Sequence, residues 1–335
     1  MTALGPPLHH SGTAREKPSV KILVTGAAGM LGSSLVPTLT DAGHDVVATD
    51  IDMSDPRPWA ARGPRLQWLD VRQRVEVKDC FSSVRPDLVL HLAAETSLEI
   101  SDIDPDHAYL TNTIATKYVA LQARAAGIPM VYVSTAEVFD GTKTGPYTEF
   151  DWPNPVNTYG ASKYDGELIV ASTVEEHYIV RAGWMVGGGA AKDHKFVSRI
   201  VSQLRDGAQT VYAVTDKVGT PTYTPEFSRC LLGLLESGLF GLYHMACGGE
   251  ASRYDMAARI LEVLGRTDVE LVGVGSDHFA EEFFSVRPNS QIMRNMVLDL
   301  QGMNTMPDWR EALEEYLRTE FADLVDRDAH PALTR

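Results

Sequence analysis

Short runs of β-branched and apolar residues alternate with longer stretches of mixed polarity along much of the chain. The first run, Val20-Lys21-Ile22-Leu23-Val24, ends in Thr25-Gly26 and predicts a buried parallel strand that enters a tight turn. A helical stretch follows over 30–42. Further strands are expected over 45–50, 66–69, 86–91 and 130–134, then a long helix from just after Asn157 to about Ala171 and a returning strand over 178–181. Strands that alternate with helices imply right-handed βαβ crossovers, hence an α/β fold with a doubly wound parallel Rossmann sheet. Beyond Gly187 the alternation loosens: 196–205 reads as helix, 209–214 as strand, and Thr220-Pro221-Thr222-Tyr223-Thr224-Pro225 as an extended crossing. The expected organisation is a mobile tail over 1–18, a Rossmann unit mainly over 19–185, and a smaller C-terminal α/β lobe mainly over 186–335 with some return to the sheet.

Composition narrows the classes. A chain of 335 residues with 44% apolar content can bury a substantial core. A net charge of -15 argues against a nucleic-acid surface, so an anionic ligand must meet individually placed cations. Cys80, Cys230 and Cys247 are odd in number and far apart, which fits neither a disulfide framework nor a zinc site; no metal is expected, and the compartment is read as cytoplasmic. The first 18 residues have no apolar segment of a secretion signal, and no later apolar run is long enough to span a bilayer. His9-His10 reads as a solvated pair, and no internal repeat is present.

Candidate chemistry begins at the first turn. Gly26-Ala27-Ala28-Gly29-Met30-Leu31-Gly32 places three glycines between the first strand and the first helix, where backbone amides and the helix dipole face a pyrophosphate. The spacing alone is weak, but its place at the strand–helix junction favours a dinucleotide cofactor. Asp50, at the end of the second strand, can hydrogen-bond both ribose hydroxyls and would repel a 2′-phosphate, which favours NAD(H) and leaves NADP(H) open; Asp52 and Asp55 are alternatives for that role. Asp70-Val71 can bracket the adenine, with Asp70 accepting from the exocyclic amine, and Leu92-Ala93-Ala94 offers small side chains where the cofactor must pass closely. His91, just before them, reads as a structural hydrogen-bonder.

Tyr159-Gly160-Ala161-Ser162-Lys163 sets a phenol and an ammonium four residues apart on one helical face. An adjacent cation is expected to bring the phenol toward a working range, so that Tyr159 can protonate a carbonyl oxygen while Lys163 also binds the nicotinamide ribose. Ser134-Thr135 ends the fifth strand at the carboxyl edge, where a hydroxyl can hold the substrate oxygen. Asn112 is a candidate for fixing a carbonyl or water near Lys163 on the cofactor side, and Trp184 for stacking on a sugar or base. Lys192, Lys195 and Lys217 fall in segments expected over the sugar.

The glycine-rich turn, His91-Leu92-Ala93-Ala94, Ser134-Thr135 and Tyr159 to Lys163 resemble the extended short-chain dehydrogenase/reductase family. Val138-Phe139-Asp140-Gly141, Pro146-Tyr147, Gly166-Glu167, Arg181-Ala182-Gly183-Trp184 and Gly219-Thr220-Pro221-Thr222 are similar to its dTDP-4-dehydrorhamnose reductase subgroup, over most of the chain from about Lys21. The resemblance implies Thr135, Tyr159 and Lys163 as the catalytic set, Trp184 with Thr135, Glu137 and Val138 around the sugar, Arg287 of an Arg-Pro element as a substrate cation, and a nucleotide-linked 4-keto-6-deoxysugar as substrate. A homodimer is in keeping with that superfamily. The chain departs from the subgroup at Ala136-Glu137, where an Asp usually follows the threonine, and over 95–104, which leaves the sugar open. Beside a ketoreductase, two readings stay in view: an epimerase or 4,6-dehydratase with tightly held NAD, and a noncatalytic dinucleotide-binding regulatory subunit.

Overall fold

The computed structural model describes residues 19–53 and 63–325; the tail 1–18 and Asp55 lie outside the described residues. The chain forms β1 (Lys21–Thr25), β2 (Asp45–Asp50), β3 (Gln67–Trp68), β4 (Leu88–His91), β5 (Met130–Thr135) and β6 (His177–Ala182). Then come β7 (Trp184–Val186), β8 (Thr210–Val214), β9 (Val218–Gly219), β10 (Pro221–Tyr223), β11 (Gly241–His244), β12 (Ala251–Ser252), β13 (Glu270–Val274) and β14 (Ser290–Gln291). Seven strands make one sheet in the order β11-β6-β5-β4-β1-β2-β3, and every pairing in it is parallel. The chain steps outward from β1 through β3, then crosses back to β4, so the strand order reverses between β1 and β4. A crevice opens at such a reversal, outside the carboxyl ends of the strands.

Strand alternation builds both faces of this Rossmann sheet. Ile22 and Val24 face Leu35, Leu39 and helix Thr224–Ser237, whose Phe227, Leu231 and Leu234 are buried. Leu23 and Val89 turn to the other side, onto Phe81, Val119 and Val170 of three further helices. The smaller lobe has its own core, with Ile200, Val211, Ile260, Trp309 and Leu317 fully or nearly fully buried. Its material is not contiguous, since β11 and helix Thr224–Ser237 return to the main sheet. Among the described residues no helix is long and apolar enough to cross a membrane.

Two local features differ from the sequence reading. The extended crossing stops at Tyr223; Thr224 and Pro225 open helix Thr224–Ser237, where a proline's missing N–H costs no helical bond. The helix expected from residue 30 begins at Gly32, with Met30 and Leu31 in the turn before it.

Candidate active site

The carboxyl ends of β1, β2, β4 and β5 face the smaller lobe across one cleft of about 1310 Å³. Single-ligand pockets commonly hold roughly 300–1,000 Å³, so this space has room for a dinucleotide and a second ligand. Gly26 follows β1 with φ +70°, and a Cβ there would lie 2.5 Å from the Ala93 nitrogen; the turn and the small residues after β4 therefore require one another. Helix Gly32–Asp41 starts with no side-chain cap and no acid in its first turn, which leaves its positive end for an anion. Gly26, Gly29, Met30, Leu31 and Gly32 all line the cleft there, as do Val71, Leu92, Ala93 and Ala94.

Asp50 braces this end of the cleft. One carboxylate oxygen accepts the Ala28 N–H at 2.7 Å and the other the Asp52 N–H at 2.9 Å, so the turn and the acid at the end of β2 are fixed together. Asp70 also lines the cleft, but it is not the open acceptor that the sequence suggested. The Arg72 guanidinium forks onto it at 2.9 and 2.8 Å and holds its carboxyl below the ordinary range. His91 is structural: its ring nitrogens lie 2.7 Å from Thr25 Oγ1 and 3.1 Å from Thr116 Oγ1, tying β1 and β4 to a helix.

Thr135, the last residue of β5, meets helix Thr158–Thr173, which carries Tyr159 and Lys163. Asn157 caps this helix, accepting the Gly160 N–H at 2.8 Å. Gly160 lets the helix press on the loop after β5, for a Cβ would sit 2.2 Å from the Glu137 carbonyl oxygen. The Thr135 hydroxyl lies beside the Tyr159 phenol. Thr135, Tyr159 and Lys163 are all nearly buried, and all three line the cleft. Burial raises the phenol's pKa against the opposing Thr135 hydrogen bond, with Glu137 and Glu95 adding to the rise. Burial also pushes Lys163 down to about 7, opposed by Glu167 one turn on. In the protein without its cofactor, desolvation is the largest influence on both groups and keeps the phenol protonated. A protonated phenol at neutral pH is equipped to act as an acid. The Lys163 ammonium sits 4.1 Å from the centre of the Tyr132 ring.

Asn112 does not line the cleft. It lies in a π-helical turn, Leu110–Ile114, where its Oδ1 accepts the Glu95 N–H at 2.9 Å and its Nδ2 donates to the Glu95 carbonyl and to Ser162 Oγ, each at 3.0 Å. It thus joins the loop after β4 to the Tyr159 helix, which is positioning and not direct contact with a ligand.

The far end of the cleft gathers side chains from both units. Glu137, 8% exposed, accepts from Asn157 Nδ2 at 2.9 Å. Trp184 donates its indole N–H to Gln291 at 2.7 Å, and Arg253 lies 3.9 Å over its ring. Arg287 pairs with Glu99 at 2.6 Å across the cleft. Val138 belongs elsewhere: it is fully buried with Phe139 and Tyr147, so of the residues assigned around the sugar it alone turns into the core. Lys217 donates to the Arg287 carbonyl at 3.0 Å, whereas Lys192 sits at the opposite end of the cleft, 2.8 Å from Asp52. Arg253 is the main residue that the sequence reading lacked. Burial and the nearby charge of Arg287 push its pKa down to about 10, so it remains a cation at neutral pH.

Residues 20–321 match the model of the RmlD substrate binding domain. The spore coat polysaccharide biosynthesis protein SpsK of Bacillus subtilis is 32% identical, over 89% of this chain and 97% of its own length. Among solved structures, a dTDP-4-dehydrorhamnose reductase of Clostridium acetobutylicum is 32% identical with a TM-score of 0.79, covering 89% of this chain and 98% of that one. The same enzyme of Bacillus anthracis, solved in complex with NADP, is 29% identical with a TM-score of 0.80, covering 90% and 99%. With nearly its whole described length matched, the chain belongs to the RmlD substrate binding domain family.

Proposed function

We propose that this protein uses NAD(P)H to reduce a keto group on a nucleotide-activated 6-deoxysugar, of the kind its dTDP-4-dehydrorhamnose reductase relatives are named for. The carrying observation is the meeting of Thr135, Tyr159 and Lys163 at the carboxyl end of β5, inside the cleft that also holds the glycine-rich turn. The cleft suits a dinucleotide: the uncapped helix start takes the pyrophosphate, Asp50 the adenosine ribose, and Lys163 the nicotinamide ribose. When bound, the cofactor supplies the hydride.

The chain's own residues supply the rest. Thr135 holds the ketone oxygen by its hydroxyl, and Tyr159 delivers its phenolic proton to that oxygen as the alcohol forms. A Lys163 ammonium beside the resulting phenolate stabilises its charge until a proton returns from solvent. At the other end, Arg253, Arg287 and Lys217 give an acidic protein the local cations that a nucleoside diphosphate needs. Trp184 offers a flat apolar face beside them. The two ends of the cleft differ in what they select. Asp50 favours unphosphorylated ribose and hence NADH, while Lys192, over the same loop, offers a cation toward a 2′-phosphate.

The test is to incubate the full chain with NADH or NADPH and a panel of dTDP-4-keto-6-deoxysugars, following reduced-nicotinamide absorbance and the sugar product. One cofactor oxidised per alcohol formed supports reduction. Sugar conversion with no cofactor consumed identifies an epimerase or dehydratase instead, and dinucleotide binding without turnover a regulatory subunit.

A further inference from the structure

Glu137 is a buried carboxylate in the candidate active site that ketone reduction does not use. It lies two residues beyond Thr135 in a short 3-10 turn, Ala136–Val138, and its N–H donates to Thr135 Oγ1 at 3.2 Å. The hydroxyl assigned to the ketone oxygen and the acid are thus parts of one small rigid loop. Asn157 binds Glu137 Oε2 through Nδ2 while its Oδ1 caps the Tyr159 helix, so a single amide sets the carboxylate and the phenol relative to each other. Both line the same cleft.

The surroundings leave this acid available. Among the described residues no cation contacts Glu137 directly: Arg287 pairs with Glu99 and Arg253 lies over Trp184, although the charges of both reach it. The other acid near the phenol, Glu95, is occupied by the Ser97 N–H at 2.8 Å and by His107 at 3.2 Å. Burial raises the pKa of Glu137, opposed by hydrogen bonds from Asn157 and Gln291 and by the charges of Arg287 and Arg253, and the net rise makes its carboxylate a stronger base than an exposed one.

We propose that Glu137 is a base toward a carbon adjacent to the bound ketone, so that the site exchanges that α-hydrogen with solvent in addition to reducing the carbonyl. The inference rests on the reading that a ketone binds at Thr135 and Tyr159. Glu137 takes the proton from the α-carbon, and the C–H electron pair becomes the C=C bond of an enolate. The oxygen of that enolate takes up the carbonyl's electron pair and is stabilised by the Tyr159 and Thr135 hydroxyls. Glu137 trades its proton with water and returns one to the same carbon, regenerating the ketone. No oxidant or reductant is consumed, and return to the same face preserves configuration.

The experiment uses the full chain and dTDP-4-keto-6-deoxyglucose in D2O, with and without NADPH, read by NMR and mass spectrometry. Deuterium should enter a carbon next to the ketone faster than in an enzyme-free control, without cofactor, and Glu137→Gln should slow this entry by about 100-fold or more. Glu137→Asp, which keeps the base but shortens it, should restore part of the exchange and covers the case in which the amide fails to fold. Reduction without deuterium entry above the control overturns the proposal and leaves the reductase reading intact. Exchange that is equal in wild type and Glu137→Gln also overturns it, and leaves Glu137 as a hydrogen-bonding partner of the sugar hydroxyls. Glu137-dependent exchange without reduction supports the proposal and removes the reductase reading.

Discussion

Lys163→Met should make the protein inactive and more stable. Lys163 is 3% exposed, and burial moves its pKa from an ordinary 10.5 to about 7. A displacement of that size corresponds to roughly 5 kcal/mol against the charged form. The direction with pH follows from proton counts. Between about pH 7 and 10.5 the unfolded chain holds a proton at this position that the folded protein has released, so wild-type stability rises with pH across that window. Below pH 7 both states are protonated and the full cost applies. Methionine has a similar length and no charge. In urea unfolding, the variant should exceed wild type by up to about 5 kcal/mol at pH 6, and the gap should close toward pH 10. A gap that does not change with pH, or a wild type more stable than the variant at pH 6, refutes the reasoning.

Gly160→Ala places a Cβ 2.2 Å from the Glu137 backbone oxygen, so the helix must move away from the loop after β5; turnover should fall by about tenfold or more even where thermal melting shows a folded protein. Arg253→Ala should raise KM for the nucleotide sugar by about 10- to 100-fold, with little change in NADPH affinity by fluorescence titration, because its position is at the sugar end of the cleft. Glu167→Ala strands Arg181, which is 2% exposed and forks onto Glu167 at 2.8 and 2.6 Å; a loss of about 3–5 kcal/mol should appear as a lower urea midpoint.

The parallel sheet was legible because strands covered on both faces need nearly unbroken apolar runs, as in Ile22-Leu23-Val24 and Met130-Val131-Tyr132-Val133. The glycine-rich turn and the Tyr159–Lys163 pair were legible because each lies within a few residues, at a spacing that a turn or one helical face imposes. What escaped depends on contacts between distant segments. Arg253 follows the helix cap Ser252 and carries no local sign that its side chain lies over Trp184, 69 positions earlier in the chain. Val138 and Glu137 are neighbours, yet one faces the core and the other the cleft, because the short turn rotates successive side chains apart. Asp70 read as an open acid because Arg72 could equally have pointed to solvent. Asn112 was placed near the right helix, but the π-helical turn that aims it at Glu95 and Ser162 has no sequence mark. The desolvation that shifts Tyr159 and Lys163 has the same origin: burial depth is a property of the assembled cleft.

The most direct measurement is the turnover of Tyr159→Phe set against its dinucleotide affinity, using whichever 4-ketosugar the wild type converts. Loss of the phenolic proton alone should lower kcat by about 10²- to 10⁴-fold, with NADPH binding close to wild type. A variant that keeps most of its turnover would mean that the proton comes from another group and that Tyr159 only lines the cleft.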